Sequence, residues 1–246
     1  MAENQNPMEK NQDFLEGDVW QFLDVEAVGL IKRYFTFFDG RRFNAIGGGG
    51  DSPALMNHFD SSDLVAVSTL SVNIPGSAAI EILETKARKL NALLAQIPND
   101  VALHEADRSL ISEESPAWKL WEQIGSIRGM GPVLTDKLLA RKRPHLLPVY
   151  DSVVKAAIQR NRNRYWLPIW NELRAGDGAL VGHLQRIRSL SGLAAQDASL
   201  LRVLDVAIWM RNRRESSAPL PFRKREDSAG PPALDVEWRL QPSSAD

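Results

Sequence analysis

Residues 127–154 read IRGMGPVLTDKLLARKRPHLLPVYDSVV, and the fold turns on how this stretch is organised. Gly129-Met130-Gly131 is a tight turn between two helical segments, because glycine lets the backbone take conformations that a side chain would block. Pro132 opens the next helix, a position where the missing N–H costs nothing. The free N–H groups of that first turn point out beside the glycines. Such a turn is either a plain helix–helix connection or an anion site suited to a phosphate. Lys137, Arg141, Lys142 and Arg143 lie on or just after the helix, placed to add non-specific phosphate attraction. Pro144 and Pro148 then favour an extended connection. It ends in Val149-Tyr150-Asp151, where an apolar helix begins with Val153 and Val154. Asp151 therefore sits at or near a helix N-cap. It is either a capping aspartate, a common device that contributes about 1 kcal/mol, or a carboxylate held at the mouth of a cleft beside the glycine turn.

Outward from this stretch the chain reads as helices joined by turns. Residues 17–38 carry apolar and aromatic side chains at helical spacing, from Val19 and Trp20 to Phe35 and Phe38. Asp39-Gly40 ends that run, and Gly47 to Gly50 reads as a hinge rather than a phosphate cradle, since no strand precedes it. Ser61 or Ser62 caps a helix running to Val72, and Pro75-Gly76 breaks it. A longer amphipathic helix follows from Ile80 to Leu94. Ser115-Pro116 reads as an N-cap with proline at the first helical position. Further helices fill 165–214. The expected fold is all-α: a helical domain over 17–214, with the hairpin and aspartate segment at 125–160. A polar N-terminus (1–16) and a Ser-, Pro- and charge-rich tail (215–246) flank it and read as disordered. Trp238 in that tail is a residue that can dock back onto the body.

Composition narrows the chemistry. The 246 residues are 43% hydrophobic and 25% charged, ordinary for a soluble globular protein. There is no cysteine, which excludes disulfides, cysteine-held zinc and a cysteine-ligated iron–sulfur cluster. Four scattered histidines offer no metal site, and no cofactor is expected. No segment has the apolar length of a membrane span and the first residues lack a signal-peptide core, so a cytoplasmic location is expected; a monomer is the expected state. The net charge is −1, yet its distribution is uneven. Residues 1–30 are acidic, and residues 125–165 are basic, with Arg128, Lys155, Arg160, Arg162 and Arg164 besides the four cations above. A basic middle is either a phosphate-binding face or a set of solvated helix faces.

The hairpin, linker and aspartate together resemble the helix-hairpin-helix DNA glycosylase superfamily, including the endonuclease III group. That family carries a motif like L-P-G-V-G-x-K-T-A, a short linker, then V-D-T-H at a helix start. Ile127-Arg128-Gly129-Met130-Gly131 matches the hairpin, and Val149-Tyr150-Asp151-Ser152-Val153 matches the aspartate segment with one extra residue between Val and Asp. Gly131 and Asp151 are 20 positions apart, the family's spacing. Upstream, Leu70-Ser71-Val72-Asn73 is similar to the family's L-S-A-Q, whose Gln enters the gap left by a flipped nucleotide. The resemblance spans roughly residues 60–160. It implies a fold with a cleft between helical subdomains and DNA as partner. It also implies Asp151 as the catalytic carboxylate and Arg128, Gly129, Met130, Gly131, Val133, Lys137 and Asn73 as DNA contacts. Asn73 is equally readable as a polar residue ending a buried helix.

One departure carries a consequence. Bifunctional members have a lysine two positions after the second glycine, and Val133 stands there. The resemblance then implies a monofunctional enzyme that removes a base and leaves an abasic site, without lyase activity. A flipped base costs a few kcal/mol to extrude, and bond cleavage develops positive charge on the sugar that a carboxylate stabilises. Tyr150, Trp118 and Trp121 are candidates for stacking on the base, with Tyr165, Trp166 and Trp170 as further aromatics; each tryptophan is also readable as core. His145 reads as surface. The substrate is a damaged base in repair or a modified base in foreign DNA, as in defence against phage. The alternatives are a non-catalytic helix-hairpin-helix DNA-binding module and a helical protein-interaction domain.

Overall fold

Apolar residues at helical spacing give helices along the chain, and among the described residues there is no strand. The computed structural model describes residues 25–157, 166–192, 195 and 197–213. These all belong to the unit Met1–Ser216. The expected all-α fold is observed. The expectations for 1–24, for Arg160, Arg162, Arg164 and Tyr165, and for the tail with Trp238 lie outside the described residues.

Helix α1 spans Val25–Phe37 and is followed by short 3-10 turns at Asp39–Arg42 and Ile46–Gly48. Helix α2 spans Ser61–Ser68. Helix α3, Gly76–Ile80, passes through a π turn at Glu81–Thr85 into α4, Ala87–Leu94, so the single long helix expected there is interrupted. Helices α5 (Pro116–Gly125) and α6 (Pro132–Lys142) form the hairpin. Then come α7 (Ser152–Ala157), α8 (Trp166–Arg174), α9 (Ala179–Leu190) and α10 (Leu200–Asn212).

Local rules set the ends. Ser115 accepts from the Trp118 N–H and Pro116 takes the first helical position, as the sequence predicts. The cap of α2 is Asp60 rather than Ser61 or Ser62. Its side chain accepts from the Ser62 and Asp63 N–H groups, and Asp63 returns a bond to the Asp60 N–H, closing a capping box. The helix stops at Ser68 instead of reaching Val72, because Ser71 turns left-handed (φ 59°).

The most extensive helix pairings fall into two sets. In one, α2 lies on α6, α4 on α5 and α5 on α6. In the other, α1 lies on α9 and α10, α8 on α9, and α7 and α9 on α10. Asp151 stands where the chain passes from α6 in the first set to α7 in the second.

The C-terminal half of α6 corrects the reading of the basic run. Arg141, Lys142 and Arg143 are buried, not displayed to a phosphate. The reason lies in their partners. Asp63, itself 0% exposed, takes Arg141 Nε at 3.2 Å and Lys142 Nζ at 3.0 Å. Arg141 also donates to the carbonyls of Phe43 and Ile46, and Lys142 to that of Leu55. Arg143 donates to the carbonyls of Ile97, Met56 and Leu94 and to the amide oxygen of Asn57. A buried charge costs several kcal/mol unless it is paired or fully hydrogen-bonded; Arg141 and Lys142 share the Asp63 carboxylate, and Arg143 is satisfied by neutral oxygens alone. The glycine stretch belongs to this cradle and is not a hinge. Gly47, Gly48 and Gly49 have positive φ, and a Cβ on Gly50 would lie 2.6 Å from the Arg141 carbonyl oxygen. The Pro144–Pro148 connection is not fully extended either: Leu146 and Leu147 both donate to the Arg143 carbonyl, folding its first half into a turn.

Asp63→Ala is expected to cost about 3–5 kcal/mol, because two buried cations lose their shared carboxylate. Urea denaturation followed by circular dichroism reads the loss. A cost below about 1 kcal/mol would contradict this account of the core.

Candidate functional site

The hairpin turn is open at the surface. Arg128, Gly129, Gly131 and Pro132 are exposed, while Met130 is buried and holds the turn from below. Gly129 needs its glycine: φ is +90°, and a Cβ would sit 2.7 Å from Pro75 Cγ. Gly131 caps α6 with extended backbone and offers no side-chain cap to the first N–H groups of the helix. A Cβ on Gly131 would meet nothing within 4 Å, so the space beside those N–H groups is open. Val133, half-buried, lies within this first turn.

Asp151 caps α7. Its Oδ1 accepts from the Val153 and Val154 N–H groups, both at 3.0 Å. Its Oδ2 faces Lys137 Nζ at 4.0 Å, and its side chain is 13% exposed. Lys137 is placed differently from its expected phosphate contact. It is 3% exposed, and its ammonium donates to the Leu70 carbonyl oxygen at 3.0 Å. Its position on α6 turns it inward, where the Leu70 carbonyl, just past the end of α2, and Asp151 compensate its charge. Burial lowers the Lys137 pKa from the ordinary lysine value, with Asp151 and Asp205 pulling upward against it.

These contacts gather residues far apart in sequence. Lys137 touches Leu70 on one side and faces Asp151 on the other, and three residues beyond Leu70 the exposed Asn73 precedes Pro75, which packs on Gly129. Hairpin, Asn73 loop and Asp151 thus form one neighbourhood. The aromatic candidates do not all join it. Tyr150 is buried in the core rather than offered at an open face. Trp121 stacks on Trp118 (centroids 5.2 Å apart) and donates to Asp136 at 2.7 Å. Trp170 donates to the Ala106 carbonyl. Trp118 and Trp166, edge to face at 5.6 Å, line a cleft of about 300 Å³ together with Ile111, Leu167 and Glu113, and neither Asp151, Tyr150 nor Trp121 borders it. His145 is exposed, as expected.

Sequence reasoning missed the polar cluster behind the carboxylate. Arg202 on α10 bonds Asp205 and the Tyr34 hydroxyl, and the electrostatic environment of Asp205 includes Asp151 and Lys137. Arg202 and Asp205 stand at i and i+3, a spacing that signals a helical ion pair but not its burial. Burial pushes the Tyr34 hydroxyl up to about 12. It also pushes the Asp205 carboxyl up to about 6, a rise that Arg202 and Lys137 oppose and Asp151 reinforces. Among the described residues no group of histidines and carboxylates is arranged to hold a metal, and no helix is long and apolar enough to cross a membrane.

A carboxyl whose folded pKa stands above its unfolded value binds its proton more tightly in the folded chain. The stability Asp205 contributes is therefore full below about pH 4 and is lost as pH rises through about 6. The stability of the wild type relative to Asp205→Asn is expected to fall by about 1–3 kcal/mol between pH 4 and 7, read by urea denaturation at each pH. A difference that stays constant over that range would contradict the shift.

No curated protein and no solved structure matches the chain. Residues 27–212, most of its length, match DUF6308, described as a family of unknown function, and the chain belongs to that family.

Proposed function

We propose that this protein is a monofunctional DNA glycosylase. It flips a damaged or modified base and hydrolyses the bond between that base and its deoxyribose. The observation that carries the reading is the placement of Asp151. Its partly exposed carboxylate, fixed by two backbone N–H groups, is joined through Lys137 to the same helix that the glycine hairpin opens. On this reading the hairpin N–H groups and Arg128 bind a backbone phosphate. Asn73 enters the gap left by the extruded nucleotide, and the target sugar comes to rest against Asp151.

The chemistry then follows. As the glycosidic bond breaks, its electron pair leaves with the base and positive charge builds on the sugar ring. A fixed carboxylate stabilises that charge and orients water to attack the anomeric carbon, much as carboxylates do at the oxocarbenium-like state of glycoside hydrolysis. The product is an abasic site. Lys137 is buried and bonded to Leu70, and Val133 stands where bifunctional glycosylases carry their nucleophilic lysine, so strand cleavage is not part of the proposal. Repair of cellular DNA and attack on modified phage DNA use the same chemistry. A cytoplasmic location fits both.

Incubation with a panel of genomic DNAs, including heavily modified phage DNA, is expected to release a free base detected by mass spectrometry. Asp151→Asn is expected to lower that release by at least about a hundredfold while leaving DNA affinity within a few-fold. Binding without base release from any DNA would favour a non-catalytic helix-hairpin-helix module instead.

A further inference from the structure

We infer that Lys137 is a positioning residue that couples the Asn73 loop to Asp151. Its catalytic consequence rests on the glycosylase reading, whereas the coupling itself does not.

The loop is pinned at both ends to one structural unit. At its start, Leu70 lies two residues past the end of α2, in the turn that leaves the helix, where carbonyls lack helical partners. Lys137 supplies the partner at 3.0 Å, and a cation at a helix C-terminus also complements the helix dipole. At its end, Pro75 packs against the Gly129 backbone so closely that a Cβ there would lie 2.7 Å from Pro75 Cγ. Between the two, Ser71 holds a left-handed conformation that a serine adopts only when its surroundings enforce it. Asn73 is therefore displayed from a segment fixed on the hairpin and on α6.

The same ammonium faces the site's carboxylate. Oδ1 of Asp151 is occupied by the Val153 and Val154 N–H groups, which leaves Oδ2, at 4.0 Å from Lys137, as the oxygen the site presents. An ammonium has three donors and no acceptor. One goes to Leu70, and its charge acts on Asp151 across a span where water is nearly excluded, which strengthens the attraction. The other charged groups facing this point are Asp205 and Arg202 on α10, with the Tyr34 hydroxyl of α1 behind them. What Lys137 adds over an apolar side chain of similar length is a bond to the loop and an attraction for the acid, both from one atom. A displacement of the Asn73 loop is thus felt at Asp151, and loss of the Asp151 charge is felt at the loop.

The test is hydrogen exchange of the full chain, wild type against Lys137→Met and Asp151→Asn. The amides of Thr69, Leu70 and Ser71, bonded to Ala66, Val67 and Ser68, report the loop. Both variants are expected to speed their exchange by about fivefold or more while the α5 amides stay at the wild-type rate. The Asp151→Asn result is decisive, because Lys137 both bonds the loop and faces Asp151, and the near-isosteric amide oxygen can still accept from the Val153 and Val154 N–H groups if Lys137→Met fails to fold. Wild-type exchange at these amides in Asp151→Asn would overturn the coupling, even if Lys137→Met alone were faster. Where the wild type releases a base, Lys137→Met is expected to slow single-turnover release by about tenfold or more and to shift its pH profile, with DNA affinity within about threefold. An unchanged rate and profile would overturn the positioning role. Altered exchange with no base released from any DNA would sink the glycosylase reading alone.

Discussion

The buried pairing of Asp63 with Arg141 and Lys142 constrains everything downstream of the hairpin. Those charges are tolerable in the interior only while Asp63 and the carbonyls of Phe43, Ile46 and Leu55 stay in place around them. The end of α6 is thereby locked against α2 and the glycine loop. Arg143, held by carbonyls from 56, 94 and 97, fixes the exit direction, and the turn on its own carbonyl sends the chain toward α7. Asp151 is delivered to the crossing between the two helix sets by this chain of fixed points.

Much of the local structure was legible because local rules govern it. Pro132, Ser115-Pro116 and the Asp151 cap each need only a few neighbouring residues to be recognised, and each is found as read. Asp60, Ser61 and Ser62 are all competent caps in a row, so the choice among them depended on the backbone angle at which the chain enters α2. The burial of the basic run was not legible. A lysine or arginine is read as surface unless a partner is known. Here the carboxylate lies 78 positions from Arg141, and most other partners are backbone carbonyls, which have no residue signature. The glycine stretch was misread for the same reason, since what it wraps arrives from far along the chain.

This burial reshapes the proposed DNA contact. With Lys137, Arg141, Lys142 and Arg143 inside, the grip on a phosphate falls to the uncapped N–H groups of α6 and to exposed Arg128. Such a contact fixes register more than it supplies attraction. The aromatic pair Trp118 and Trp166 borders a cleft that Asp151 does not line, and Tyr150 is buried, so among the described residues none of these three offers an open platform beside the carboxylate. The candidate site consists of the Asp151 carboxylate, the hairpin turn and the Asn73 loop.

The central claim, that Asp151 faces a sugar on which positive charge develops, is testable without knowing the base. Affinity is measured for DNA in which one deoxyribose is replaced by a cationic pyrrolidine, against the same DNA with a neutral tetrahydrofuran at that position. A site complementary to the charged transition state binds its mimic more tightly, by about a hundredfold or more. The wild type should show that preference and Asp151→Asn should lose most of it. Equal affinity of the wild type for the two DNAs would contradict the claim.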